Sequence, residues 1–131
     1  MAIERIRPAG TPSPRGPYSP AVRAGDFIYV SGQGPVDPAT DQLSFGDIAH
    51  ETRLTLGNIQ RILEGCGASL ADVVKCTVYL ADYREFGGMN AVYAELFGEA
   101  KPARTTVEAQ MVIPPMRIEI DCIAYRPAAD A

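Results

Sequence analysis

Histidine is almost missing from this sequence, and His50 is the only one. A His-dependent catalytic triad therefore has a single candidate base. A zinc site would need cysteine and carboxylate ligands, and none of them stands at a suitable spacing. Cysteine is scarce too: Cys66, Cys76 and Cys122 lie far apart with no CxxC pair. An odd, scattered set reads as reduced thiols of a cytoplasmic protein, each acting as a small apolar residue. There is no basic excess, since the net charge is -4 and the pI is near 4.9. That balance speaks against a nucleic-acid partner. The patterns GxGxxG and GxxxxGK[ST] are both absent, so no phosphate-cradling loop is expected. The opening "MAIERIRPAG" has no apolar run behind its charges, so neither secretion nor a membrane partner is expected.

What is present is enough for a core. Hydrophobic residues make up 47% of 131 positions, which predicts one domain spanning 1–131. Proline and glycine crowd "RPAGTPSPRGPYSP", so residues 1–15 read as a flexible arm, and 127–131 as a tail. "DFIYVSGQGPV" predicts a strand over Phe27–Ser31 ending in a glycine turn. Ile48, Thr52, Leu56, Ile59 and Leu63 recur at helical spacing from Asp47 to about Glu64, where Gly65 and Gly67 stop the helix. Ser69 and Asp72 form a capping-box signature before a run of strand periodicity, "VVKCTVYL". Asp82 caps a second helix whose face carries Phe86, Met89 or Asn90, Tyr93 and Phe97, with an imperfect first turn at Gly87 and Gly88.

Two more strands, joined through Ile113-Pro114-Pro115, end the chain. The order predicts an α/β (α+β) fold, a mixed sheet with both helices on one face. On the last strand Ile118, Ile120, Cys122 and Ala124 alternate with Glu119, Asp121, Ile123 and Tyr125. A helix-free face carrying Ile and Tyr among charges predicts self-association.

Arg104 opens one of these last strands and Glu119 sits inside the other. Arginine offers a planar fork for a carboxylate and keeps its charge. A glutamate in an apolar strand needs a partner or a water, and could act on that water as a general base. Each also has an ordinary reading, as a solvent-facing strand charge or an interface ion pair. Tyr18, held in Gly16-Pro17-Tyr18-Ser19, could cover a ligand, or simply anchor the arm. Ser31-Gly32-Gln33-Gly34 offers backbone N–H groups, and Asn90 offers a helix-face amide.

Together "GPYSPAV", "IYVSGQGPVDPATD", "ETRLTLGNIQRILEGCGASLADVVKCTVYLAD", "FGGMNAVYAELF", "KPARTTVE" and "IEIDCIA" resemble the RidA (YjgF/YER057c/UK114) family over about residues 14–126. The resemblance implies a chorismate-mutase-like fold assembled as a homotrimer with clefts between subunits. It implies a cofactor-free enamine/imine deaminase acting on 2-aminoacrylate and related 2-imino acids. Arg104 falls where that family binds the substrate carboxylate, and Glu119 where it positions water. Tyr18, Ser31, Gly32 and Asn90 fall on pocket positions, and no metal is implied. Thr106 stands where many members carry cysteine, which bears on preference or rate. Gly34 replaces a bulky aliphatic residue and should loosen the pocket wall, and "MVIPPM" replaces the more usual leucine-proline loop. A non-catalytic metabolite-binding trimer and an endoribonuclease are the alternatives, the latter disfavoured by the acidic balance.

Overall fold

The protein is described by a computed structural model over residues 2–129. Its strands are β1 (Ile3–Ile6), β2 (Ala21–Ala24), β3 (Phe27–Gln33), β4 (Val36–Asp37), β5 (Gln42–Leu43), β6 (Val73–Leu80), β7 (Ala103–Glu108) and β8 (Ile118–Tyr125). Helix α1 runs Ile48–Gly65 and α2 runs Phe86–Phe97. Six strands form one sheet in the order β1-β2-β3-β8-β6-β7, while β4 and β5 pair as a separate hairpin. Only β6 and β7 run parallel, joined through α2; the other pairs are antiparallel.

Both helices pack on the same sheet face. Leu56, Ile59, Ile62 and Leu63 of α1 and Met89, Tyr93 and Phe97 of α2 share one core with Ile28, Val30, Val78, Leu80, Ile118 and Ile120. Burying each large aliphatic side chain contributes about 1.5–3 kcal/mol. The caps follow the sequence. The Asp47 carboxylate accepts from the His50 amide at 2.8 Å and starts α1. Ser69 and Asp72 form their capping box. Asp82 caps a 3-10 turn, Tyr83–Glu85, that precedes α2, whereas Gly87 and Gly88, where an imperfect turn was expected, lie in regular helix.

Three expectations change. The N-terminal segment is not a free arm, because β1 pairs antiparallel with β2 from Ile3↔Ala24 to Ile6↔Ala21. Further along, the Asp41 carboxylate accepts from the Ser13 amide at 3.0 Å, and the Arg15 guanidinium donates to the Asp41 carbonyl at 2.7 Å. Asp41 reaches both from a left-handed turn position, φ 58. Composition cannot show hydrogen bonds made 28 residues away. Second, the glycine turn after Ser31 is an irregular stretch within β3, whose register shifts between Val30 and Gln33. Third, the last two strands are not neighbours: β6 lies between β7 and β8. The proline-bearing segment is thus a crossing connection to a central strand.

Cys76 and Cys122 face each other across β6 and β8 within the core, and Cys66 is partly buried. Burial pushes all three thiols above their ordinary pKa, which favours the protonated form. Among the described residues, no helix is long and apolar enough to cross a membrane.

Candidate active site

Glu119 sits in β8 opposite Tyr79, on the face without helices. Its carboxylate makes no ion pair among the described residues. Burial pushes its pKa above the ordinary glutamate value, and the nearby Asp121 carboxylate adds to the rise. Asp121 is engaged by the Tyr79 hydroxyl, which donates to it at 3.0 Å.

The irregular part of β3 makes room for Glu119. A Cβ at Gly32 would lie 2.9 Å from Glu119 Cδ and closer still to a carboxylate oxygen. Glycine is needed here for close approach rather than for an unusual φ. Beside it, the Ser31 hydroxyl donates to the Ser19 carbonyl at 2.6 Å, which ties the "GPYSP" segment to β3. That bond leaves the Ser31 oxygen free only as an acceptor. The Tyr18 hydroxyl accepts from the Arg15 amide at 3.1 Å while the ring stays 46% exposed, open to a ligand. Tyr18, Ser31, Gly32 and Glu119 line one shallow pocket.

Arg104 belongs to a different place. It pairs with Cys76 on β6 and so points to the helix side, under α2. Its guanidinium carbon lies 4.8 Å from the Tyr93 ring centre and 5.5 Å from that of Phe86. Its Nη1 approaches Met89 Sδ at 4.0 Å. Stacking of this kind holds the guanidinium plane and leaves its edge for an anion. No carboxylate pairs with Arg104 among the described residues.

Asn90 Oδ1 and Thr106 Oγ1 are buried on this side without hydrogen-bond partners among the described residues, and the Tyr93 hydroxyl has only the weak Cys76 thiol beside it. Leaving such a group unpaired costs about 1–3 kcal/mol, so a site that supplies partners gains from them. Asn90, Tyr93 and Arg104 line one open groove. Thr106 shares a second hollow with Phe86.

The predicted residues therefore divide into two sets. Tyr18, Ser31, Gly32 and Glu119 come together on one face, and Arg104, Asn90 and Thr106 gather on the other. Arg104 and Glu119 are two strands and three residues apart, with Cα atoms roughly 14 Å apart at ordinary sheet spacings. No group of three or more His, Cys, Asp or Glu is placed to hold a metal ion among the described residues.

Sequence reasoning missed three contributors. Phe86 and Tyr93 had been read as a helix face, and their spacing from Phe86 to Met89 to Tyr93 is the signal that they share a side with one strand residue. Met116 ends the "MVIPPM" segment, but nothing in the sequence signals that it packs against Gly34. It is 6% exposed, and its Cε sits 2.8 Å from where a Gly34 Cβ would be. The looser wall expected at Gly34 is thus filled by Met116.

Known proteins share this arrangement of elements. The family described as Endoribonuclease L-PSP matches residues 9–126. A RutC family protein of Pyrococcus horikoshii is 50% identical over 94% of this chain and 98% of its own. A protein of Acinetobacter baylyi named 3-aminoacrylate deaminase RutC is 42% identical, covering 95% of this chain and 99% of its own. The Bos taurus protein named 2-iminobutanoate/2-iminopropanoate deaminase is 41% identical, covering 92% and 88%. Among solved structures, that of E. coli TdcF with bound serine superimposes with a TM-score of 0.86 at 32% identity, covering 94% of this chain and 98% of that one. On this match of sequence and fold, the chain belongs to the RidA family, whose family description is Endoribonuclease L-PSP.

Proposed function

We propose that this protein is an enamine/imine deaminase that hydrolyses 2-aminoacrylate and related 2-imino acids to 2-oxo acids and ammonia. The observation that carries this reading is the separation of an unpaired Arg104 from an unpaired Glu119 on opposite sheet faces. A small imino acid cannot span roughly 14 Å of sheet. Two copies of the chain can close the gap, one supplying the Arg104 groove and the next the Glu119 pocket. A cyclic homotrimer with three such clefts satisfies this, because a heterologous interface joins different surfaces of successive subunits. Phe27, Tyr29 and Tyr125 on the helix-free face are 41%, 46% and 45% exposed, apolar area that association would cover. The name of the bovine relative points to the same 2-imino acids, and that of the Acinetobacter relative to deamination of a 3-amino isomer.

The reaction asks little of the protein. The enamine tautomerises to an imine, whose carbon is already electrophilic. Arg104 holds the carboxylate through its fork, and Asn90, Thr106 and the Tyr18 ring complete the cleft. Glu119 takes a proton from water as its oxygen bonds to the imine carbon, giving a carbinolamine. That proton completes the carbinolamine's amino group; the proton of the carbinolamine hydroxyl then passes to the nitrogen, the carbon–nitrogen bond breaks as the carbonyl forms, and ammonia leaves a 2-oxo acid. The chemistry requires no cofactor. A net charge of -4 and a lone His50 bonded to Ser44 favour a small cytoplasmic metabolite over RNA as substrate.

The test generates imino acids with an amino-acid oxidase and traps what remains with semicarbazide. The wild-type protein should slow trapping and Arg104→Ala should not. Equal trapping with and without the wild-type protein, over a panel of amino acids, would overturn the reading.

A further inference from the structure

Glu119 borders a second space that the hydrolysis itself does not use. A cavity of about 80 Å³ runs from Glu119 and Gly32 to an apolar end formed by Val36, Leu43, Ile113 and Met116. The proline-rich strap held by Asp41 covers it. About 10–15 Å³ of such space holds one water, so the cavity has room for several heavy atoms. Ser13, Arg15 and Gln33 add polar lining beside Glu119, and the hydrocarbon is supplied by Val36, Leu43, Ile113 and Met116.

Resting on the imine-deaminase reading, we propose that this cavity receives the substrate's side chain and that Met116 sets the chain length it accepts. Three groups radiate from the reacting carbon of a 2-imino acid. Arg104 takes the carboxylate, and Glu119 serves the water and the nitrogen. The side chain is left to point along the wall that Glu119 shares with the cavity, toward hydrocarbon. Met116 closes that end with a flexible, unbranched side chain. Gly34 gives it the space, since a single added carbon there would meet the Met116 methyl at 2.8 Å. What the cavity adds to the imino-acid reading is an upper limit on side-chain length, set at Met116.

The experiment measures kcat/KM by the trapping assay on imines made from alanine, 2-aminobutanoate, norvaline and norleucine. Met116→Ala lengthens the cavity and should shift the norleucine-to-alanine ratio upward by about tenfold or more. Gly34→Ala pushes the Met116 methyl into the cavity and should shift that ratio downward. It also serves where Met116→Ala does not fold, because it presses only on the end of a flexible side chain. If the wild type hydrolyses imines but neither variant moves the ratio, the subsite assignment is wrong and the deaminase reading stands. If the wild type hydrolyses none of the four, both fall.

Discussion

Arg104 and Glu119 point to opposite faces of one sheet, with β6 between their strands. Each is poised for a partner that the described residues do not supply. Arg104 lies over aromatic rings and meets no carboxylate among them. Glu119 is packed on a glycine and meets no cation among them.

Arg104→Ala removes a charge-assisted contact of about 1.5–3 kcal/mol, so kcat/KM for imine hydrolysis should fall by roughly 10- to 100-fold or more. Arg104→Lys should recover little of it. An ammonium keeps the charge but does not form the bidentate fork or match the guanidinium's contact with the Phe86 and Tyr93 rings. Steady-state kinetics on both variants checks this.

Gly32→Ala should damage activity more than folding. The new methyl would overlap the Glu119 carboxyl, which must swing away from β3. A stability loss of about 1–3 kcal/mol is expected, with kcat lowered at least tenfold. Thermal melts beside kinetics separate the two effects.

The pH profile should carry an acid limb above the ordinary glutamate range. Burial, then Asp121, disfavours ionised Glu119. The base form is therefore complete only above the raised pKa, and activity is lost as pH falls through it. For stability the sign is opposite: the contribution of neutral Glu119 is present below the ordinary value and lost as pH rises through the raised one. Asp121→Asn removes a negative neighbour and should move the limb to lower pH. Glu119→Gln should abolish it together with activity.

Glu51 tests the fold alone. It is fully buried, and its carboxylate accepts from the Arg117 amide at 2.8 Å and the Gly46 amide at 3.1 Å. Glu51→Ala strands both N–H groups and should cost about 3 kcal/mol, roughly 10 °C in Tm. Glu51→Gln, which keeps one acceptor, should lose less.

Periodicity made most of the fold legible. The alternation of Ile118, Ile120, Cys122 and Ala124 is the buried row of β8, and the three- and four-residue spacing from Ile48 to Leu63 is α1. Sheet order was not legible, because strand pairing is decided by contacts distant in sequence, and so β6 came between β7 and β8 unforeseen. The bonds from Asp41 to Ser13 and Arg15, and from Glu51 to Gly46 and Arg117, were hidden for the same reason. At the site, residue types were readable but faces were not. The pairing of Arg104 with Cys76, and of Glu119 with Tyr79, sends two promising side chains in opposite directions.

The most direct test of the shared cleft mixes two impaired proteins, each first assayed alone for its residual activity. Arg104→Ala and Glu119→Gln subunits are purified separately, unfolded together at equal amounts, refolded, and assayed for imine hydrolysis. If each site takes its arginine from one subunit and its glutamate from the next, random reassortment restores about one quarter of the sites. Activity near a quarter of wild type is the predicted result. Mixed trimers that form but stay inactive would contradict it, because one subunit would then have to supply both residues.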